Sequence, residues 1–234
     1  MKPRVIFFDI GHTLVTGAEQ SPRRLLASRL ALSEKETKQV GQLIMTHSCD
    51  EPSQLVRALA ELLPERDAHR VREVVEAVWA EQIHCVKEIR GATSLASSLK
   101  AQGYKLGIIS NIWHPFYHGF CRTCPALLDL MDYKNLSYRV GIKKPSLNLY
   151  QQAVRETGEA PSSCWMVGDT YELDMAPARQ VGMNTLWVLC RPEKERGLLV
   201  EMLRGEKQRP DWVVESIEEI LPFFGSENTN KRGM

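Results

Sequence analysis

Short apolar runs alternate with amphipathic stretches at the start of the chain and through its second half, and this alternation restricts the fold more than any other feature. The runs are VIFFD from Val5, KLGIIS from Lys105, CWMVGD from Cys164, NTLWVL from Asn184 and DWVV from Asp211. Each is short, rich in β-formers and flanked by turn residues, the pattern of a strand. Between them lie segments such as ATSLASSLKAQG and SLNLYQQAVRETG, each closing on a glycine where helices commonly end. Strand, helix and strand repeated in this way predict an α/β fold with a mostly parallel sheet and helices on both faces. Ligands of such sheets gather at the carboxyl ends of the strands. Asp9, Ser110 and Asp169 all fall at those ends.

Residues 17–89 lack this rhythm. Helical patterns follow one another there without a convincing strand, so an inserted all-helical unit of about four helices is expected. Ser33 and Glu36 form a capping box. Asp67 precedes a long run in which Val71, Val74, Val75, Val78 and Trp79 share one face. The expected organisation is a core built from residues 1–16 and 90–225, a helical cap at 17–89, and a polar, disordered tail at 226–234.

With 234 residues, 43% of them hydrophobic, the chain can bury one large core and a smaller one. Thirty Lys and Arg against 29 Asp and Glu leave a formal charge of +1, so neither a nucleic acid nor a membrane partner is expected. The first apolar run is too short for a signal sequence, and six scattered cysteines suggest reduced thiols. A cytoplasmic location is the expectation. Oligomeric state leaves no trace.

Four elements carry candidate chemistry. FFDIGHTLV places Asp9 at the end of the first strand, followed by Gly11 and Thr13; taken alone, such an Asp also serves as a turn cap. IISN places Ser110 and Asn111 after a second strand, GIKKPSLNLY carries Lys144 beside Lys143, and WMVGDTYELDMAPARQVGM carries Asp169 with Asp174 five positions on. In this order and spacing the four resemble the haloacid dehalogenase-like hydrolase superfamily. The likeness is to its helical-cap, phosphatase-type members and covers essentially the whole chain. It implies a Rossmann-like core and a set of roles. Asp9 is the nucleophile that forms an aspartyl-phosphate, and Lys144 is its catalytic partner. Thr13, Ser110 and Asn111 bind the phosphoryl group of a small phosphorylated metabolite. Asp9, the Gly11 carbonyl, Asp169 and Asp174 hold Mg2+.

The residue types suit that chemistry on physical grounds. Phosphoryl transfer needs a nucleophile held in line and positive charge around the equatorial oxygens. Magnesium prefers oxygen ligands, and three carboxylates converging on one point repel one another unless a cation joins them. The alternative reading of Asp174 is a carboxylate favouring a helix N-terminus.

One position departs from the family pattern. Phosphatases of this kind usually carry a second Asp two residues after the nucleophile, as general acid and base, and this chain has Gly11 there. Such assistance is typically worth about a hundred- to ten-thousandfold. Members lacking that Asp include dehalogenases, phosphonate-cleaving enzymes and phosphorylated ion pumps. Asp169 and Asp174 argue against a metal-free dehalogenase. Phosphonate cleavage would call on a cap lysine, for which Lys35 or Lys38 has no positional support. His12 offers a titratable group near neutrality, against a plain turn role. The rival to a hydrolase is a phosphate-binding or regulatory protein without turnover.

Smaller signals are weighed in the same way. In WHPFYHGFCRTCP, His114, His118, Cys121 and Cys124 have a spacing zinc could use, but Pro115 and Gly119 are expected to break the helix and core packing is favoured. Trp113 and Tyr117 are placed near the cap by their closeness to Ser110. His47, Trp79 and His84 are candidates for a substrate pocket, with core or solvated positions preferred. The Arg-rich pieces SPRR and ERDAHRVR read as solvated faces.

Overall fold

The computed structural model describes residues 4–224; the tail expected to be disordered lies outside them. Among the described residues six strands form one parallel sheet: β1 (Val5–Phe8), β4 (Lys105–Ser110), β5 (Tyr133–Leu136), β6 (Cys164–Gly168), β7 (Asn184–Val188) and β8 (Trp212–Val214). Their order is β5-β4-β1-β6-β7-β8, and every pairing is parallel. The chain builds outward from β1 on one side through β4 and β5, then on the other through β6, β7 and β8. Strand order therefore reverses around β1, which places the switch-point crevice at the carboxyl end of this strand.

The central strands are buried on both faces, and their period of two divides the core. Ile6 and Phe8 of β1 join Leu106, Ile108, Trp165, Val167, Leu186 and Val188 in one cluster. Val5 and Phe7 join Ile109, Cys164, Met166 and Trp187 in the other. This is why these runs are almost continuously apolar: each residue faces a helical layer. Gly103 and Gly158 do follow helices, at φ 87° and 70°.

Residues 17–89 contain four helices: α1 (Pro22–Leu30), α2 (Glu34–Thr46), α3 (Pro52–Leu62) and α4 (Ala68–His84). They pack around a third apolar cluster that includes Leu26, Val40, Leu59, Val71, Val74, Val75, Val78 and Trp79. The capping box of Ser33 and Glu36 is formed, and the Asp67 side chain accepts from Arg70 N at 2.7 Å. Asp67→Ala removes that acceptor from the longest cap helix and is expected to cost about 1 kcal/mol in urea unfolding.

Four expectations need correction. Strands do occur at the borders of the helical segment: β2 (Val15–Thr16) pairs antiparallel with β3 (Lys87–Glu88). Two residues each are too few to leave a periodic pattern. β5, the edge strand, was also not anticipated, because its YKNL sequence breaks the apolar run. Helix α6 (His114–Thr123) runs unbroken through Pro115 and Gly119, where α5 (Ala92–Ala101) is the helix preceding β4. Proline in a first turn loses no helical hydrogen bond, and a Cβ on Gly119 would come within 2.5 Å of the Ile83 carbonyl oxygen, so glycine lets α4 and α6 approach. Finally, Arg66 is not merely solvated: it donates to Leu30 O at 2.9 Å and pairs with Glu36 at 3.1 Å, tying three cap segments together.

Trp113 sits in the cap's cluster although it begins α6 of the core. It packs edge-on against Trp79 at 5.8 Å between ring centroids and donates from Nε1 to Gln82 Oε1 at 3.2 Å. Tyr117 instead joins the core cluster beside Tyr138. No helix among the described residues is long and apolar enough to cross a membrane.

Candidate active site

Asp9 directly follows β1, and its amide donates to Val167 O at 2.9 Å, extending the central ladder by one bond. Ser110 ends β4 and is 1% exposed. Asp169 directly follows β6, and a π-helical turn, Tyr171–Met175, then brings Asp174 back toward it. The Asp174 carboxylate accepts from Thr170 N at 3.0 Å, which closes the turn. Gly168 makes this packing possible: a Cβ there would lie 2.4 Å from Asp174 Cγ. A glycine before Asp169 is thus a steric requirement of the second carboxylate.

One oxygen from each of Asp9, Asp169 and Asp174 lies within 4.8 Å of the others, and among the described residues this is the one converging group of metal-ligating side chains. His114, His118, Cys121 and Cys124 do not converge. His114 stacks on Trp79 and lies 3.1 Å from Asp50, while Cys124 is buried in the core. Of the cap candidates, Trp79 is in the apolar cluster, His84 faces Arg122 at 3.5 Å, and His47 lines a surface groove between α2 and α3.

Lys144 bridges two of the acids, with Nζ 2.7 Å from Asp9 Oδ1 and 2.6 Å from Asp174 Oδ1. Its neighbour in sequence, Lys143, makes no such contact. Burial alone would push the Lys144 ammonium down, but Asp174 and Asp9 outweigh it and hold its pKa above the ordinary value. Burial raises Asp174 despite Lys144, and it raises Asp169 as well, with Asp9 adding to both. Both directions follow from one fact: three enclosed carboxylates face fewer cations than they need.

Asn111 holds the lysine. Its Oδ1 accepts from Lys144 N at 2.7 Å and its Nδ2 donates to Lys144 O at 3.1 Å, leaving a second amide N–H for other use. The Thr13 hydroxyl is buried without a hydrogen-bond partner among the described residues. His12 adopts φ 57° in the tight turn and donates its amide to Val15 O at 2.7 Å. Burial, then Arg191, keep its imidazole below the ordinary pKa, against opposing pulls from Asp169 and Asp9.

Arg191 was missed in the sequence. It donates from Nη2 to Asp169 Oδ2, and Trp187 Nε1 donates to the Asp169 carbonyl at 2.9 Å. Arg191 lies just beyond the carboxyl end of β7, so the strand-end rule that selected Asp9, Ser110 and Asp169 was also the available signal here.

Three hard oxygen donors at the switch point, only partly neutralised, suit a divalent cation such as Mg2+. Together the sheet, the acid cluster and the inserted helices define a capped α/β hydrolase. The family model of the haloacid dehalogenase-like hydrolases matches residues 3–182, and the chain belongs to that family. It is 25% identical to glyceraldehyde 3-phosphate phosphatase of Pyrococcus furiosus over 233 residues, covering 96% of this chain and 94% of the relative. Its fold matches magnesium-bound HAD-hydrolase YfnB of Bacillus subtilis with a TM-score of 0.59 at 18% identity, over 96% and 99% of the two chains. It also matches 2-haloacid dehalogenase of Pseudomonas syringae, with a TM-score of 0.62 at 18% identity over 95% and 100%. A fold shared by both chemistries leaves the choice between them to the site.

Proposed function

We propose that the protein hydrolyses phosphate monoesters of small metabolites in the presence of Mg2+, through an aspartyl-phosphate on Asp9. The convergence of Asp9, Asp169 and Asp174 around Lys144 supports this reading most strongly. Asp9, Asp169, Asp174 and the Gly11 carbonyl are the residues to hold the metal. When bound, Mg2+ neutralises charge on the phosphoryl oxygens.

The reaction has two displacements. A carboxylate oxygen of Asp9 attacks phosphorus, the bond from phosphorus to the leaving oxygen breaks, and the electron pair departs with that oxygen. Lys144 balances the charge on the nucleophile, while Thr13, Ser110 and the remaining N–H of Asn111 hold phosphoryl oxygens. Water then attacks the phosphorus of the acyl phosphate, releasing inorganic phosphate and the Asp9 carboxylate, and the proton of that water passes to solvent. With Gly11 offering no acid, the leaving oxygen takes its proton from water. Good leaving groups are therefore cleaved far faster than alkoxides. The helical cap closes over the substrate and chooses it. The relative's glyceraldehyde 3-phosphate sets the size of substrate to try first.

The test is turnover of para-nitrophenyl phosphate with and without Mg2+, beside Asp9→Asn and Asp169→Asn, followed by alkyl phosphates. Metal-dependent hydrolysis lost in both variants, and falling steeply as the leaving group becomes more basic, supports the proposal. Folded protein that takes up Mg2+ but shows no turnover above Asp9→Asn replaces the hydrolase with a phosphate-binding protein.

A further inference from the structure

The two cations at the acid cluster are held very differently. Lys144 has 2% of its side chain exposed and is gripped by two carboxylates. Arg191 is 26% exposed and reaches Asp169, itself 4% exposed, from the rim of the site. Its Nε is buried with no hydrogen-bond partner among the described residues, so the guanidinium fork is only partly used. The loop that carries it is tied to the nucleophile turn by Cys190, whose Sγ donates to His12 O at 3.5 Å. Withdrawal of Arg191 is then a swing of one side chain, with the backbone staying in place.

Charge decides what that swing does. Counted as charged, the three carboxylates of the cluster face two cations while Arg191 is on Asp169, leaving one excess negative charge. With the guanidinium withdrawn the excess is two, which matches a divalent ion. A guanidinium carries its charge at any physiological pH, and it repels a divalent ion seeking the same carboxylate. We propose that Arg191 is a tethered counter-ion for Asp169: it occupies the carboxylate when no divalent cation is present, competes with Mg2+ for it, and so sets the metal affinity of the site. The inference rests on the metal-binding reading above and adds a residue whose effect runs against it.

The experiment is titration calorimetry of MgCl2 into metal-stripped full-length protein, comparing wild type, Arg191→Gln and Arg191→Lys, with Asp169→Asn as a control. Arg191→Gln should tighten Mg2+ binding by about tenfold or more. Arg191→Lys, which keeps the charge but loses the fork, should tighten it by a smaller factor. In thermal unfolding followed by circular dichroism, stripped Arg191→Gln should melt below stripped wild type, and saturating Mg2+ should remove the difference. An arginine that merely orients Asp169 for the metal gives the opposite sign, weaker binding in both variants. Weaker or unchanged binding in the folded variants overturns the inference, and Arg191→Lys decides the matter if Arg191→Gln does not fold. Wild type that takes up no Mg2+ defeats the metal-binding reading itself, a separate outcome.

Discussion

Gly11→Asp should raise turnover of simple alkyl phosphates by about a hundredfold or more, while changing that of para-nitrophenyl phosphate little. The backbone at Gly11 is outside the left-handed region, and a Cβ there would meet only Asp9 Oδ2, at 4.0 Å. A side chain fits and lies beside Asp9. A carboxyl placed next to Asp9 also resists ionisation and so keeps the proton that it must give to a leaving oxygen. The reading is the slope of log(kcat/KM) against leaving-group pKa, which should flatten in the variant. A slope already shallow in the wild type and unchanged in the variant would mean that another group supplies the proton, with His12 the next residue to replace, whereas a slope that stays steep in folded protein that binds Mg2+ would mean that the new carboxyl does not act as the acid.

Lys144→Met should be the most damaging change to stability near the site. It strands Asp9 and Asp174 without the ammonium that both contact, in a region where Lys144 and Asp174 each have 2% of the side chain exposed. Removing one member of a buried ion pair costs about 3–5 kcal/mol, because the other is left buried and uncompensated. Urea unfolding in EDTA measures this loss, and Mg2+ should restore part of it by binding only the folded cluster. Turnover should be lost as well. A cost below about 1 kcal/mol would show that the carboxylates find other compensation and that Lys144 is not their counter-ion.

Much of the fold was legible because β1, β4, β6 and β7 are enclosed on both faces and therefore almost wholly apolar. The edge strand β5 escaped because Lys134 and Asn135 interrupt its run, with Lys134 exposed. The four cap helices were legible from one-sided patterns such as Val71, Val74, Val75 and Val78. At the site, Asp9, Ser110 and Asp169 announced themselves as polar residues at the ends of apolar strands. The convergence of Lys144 with Asp9 is different in kind: 135 positions separate them, and nothing local encodes the contact. Arg191 and Asp169 are 22 positions apart and meet only because β6 and β7 are neighbours. The unbroken α6 was misjudged because Gly119 answers to the Ile83 carbonyl on another element.

The short ladder of Val15 with Glu88 and Thr16 with Lys87 brings the two ends of the helical insertion side by side. Seen from the sheet, the whole insertion has the topology of a hairpin turn. Its length can therefore vary at a cost that grows only slowly, without displacing any strand of the sheet.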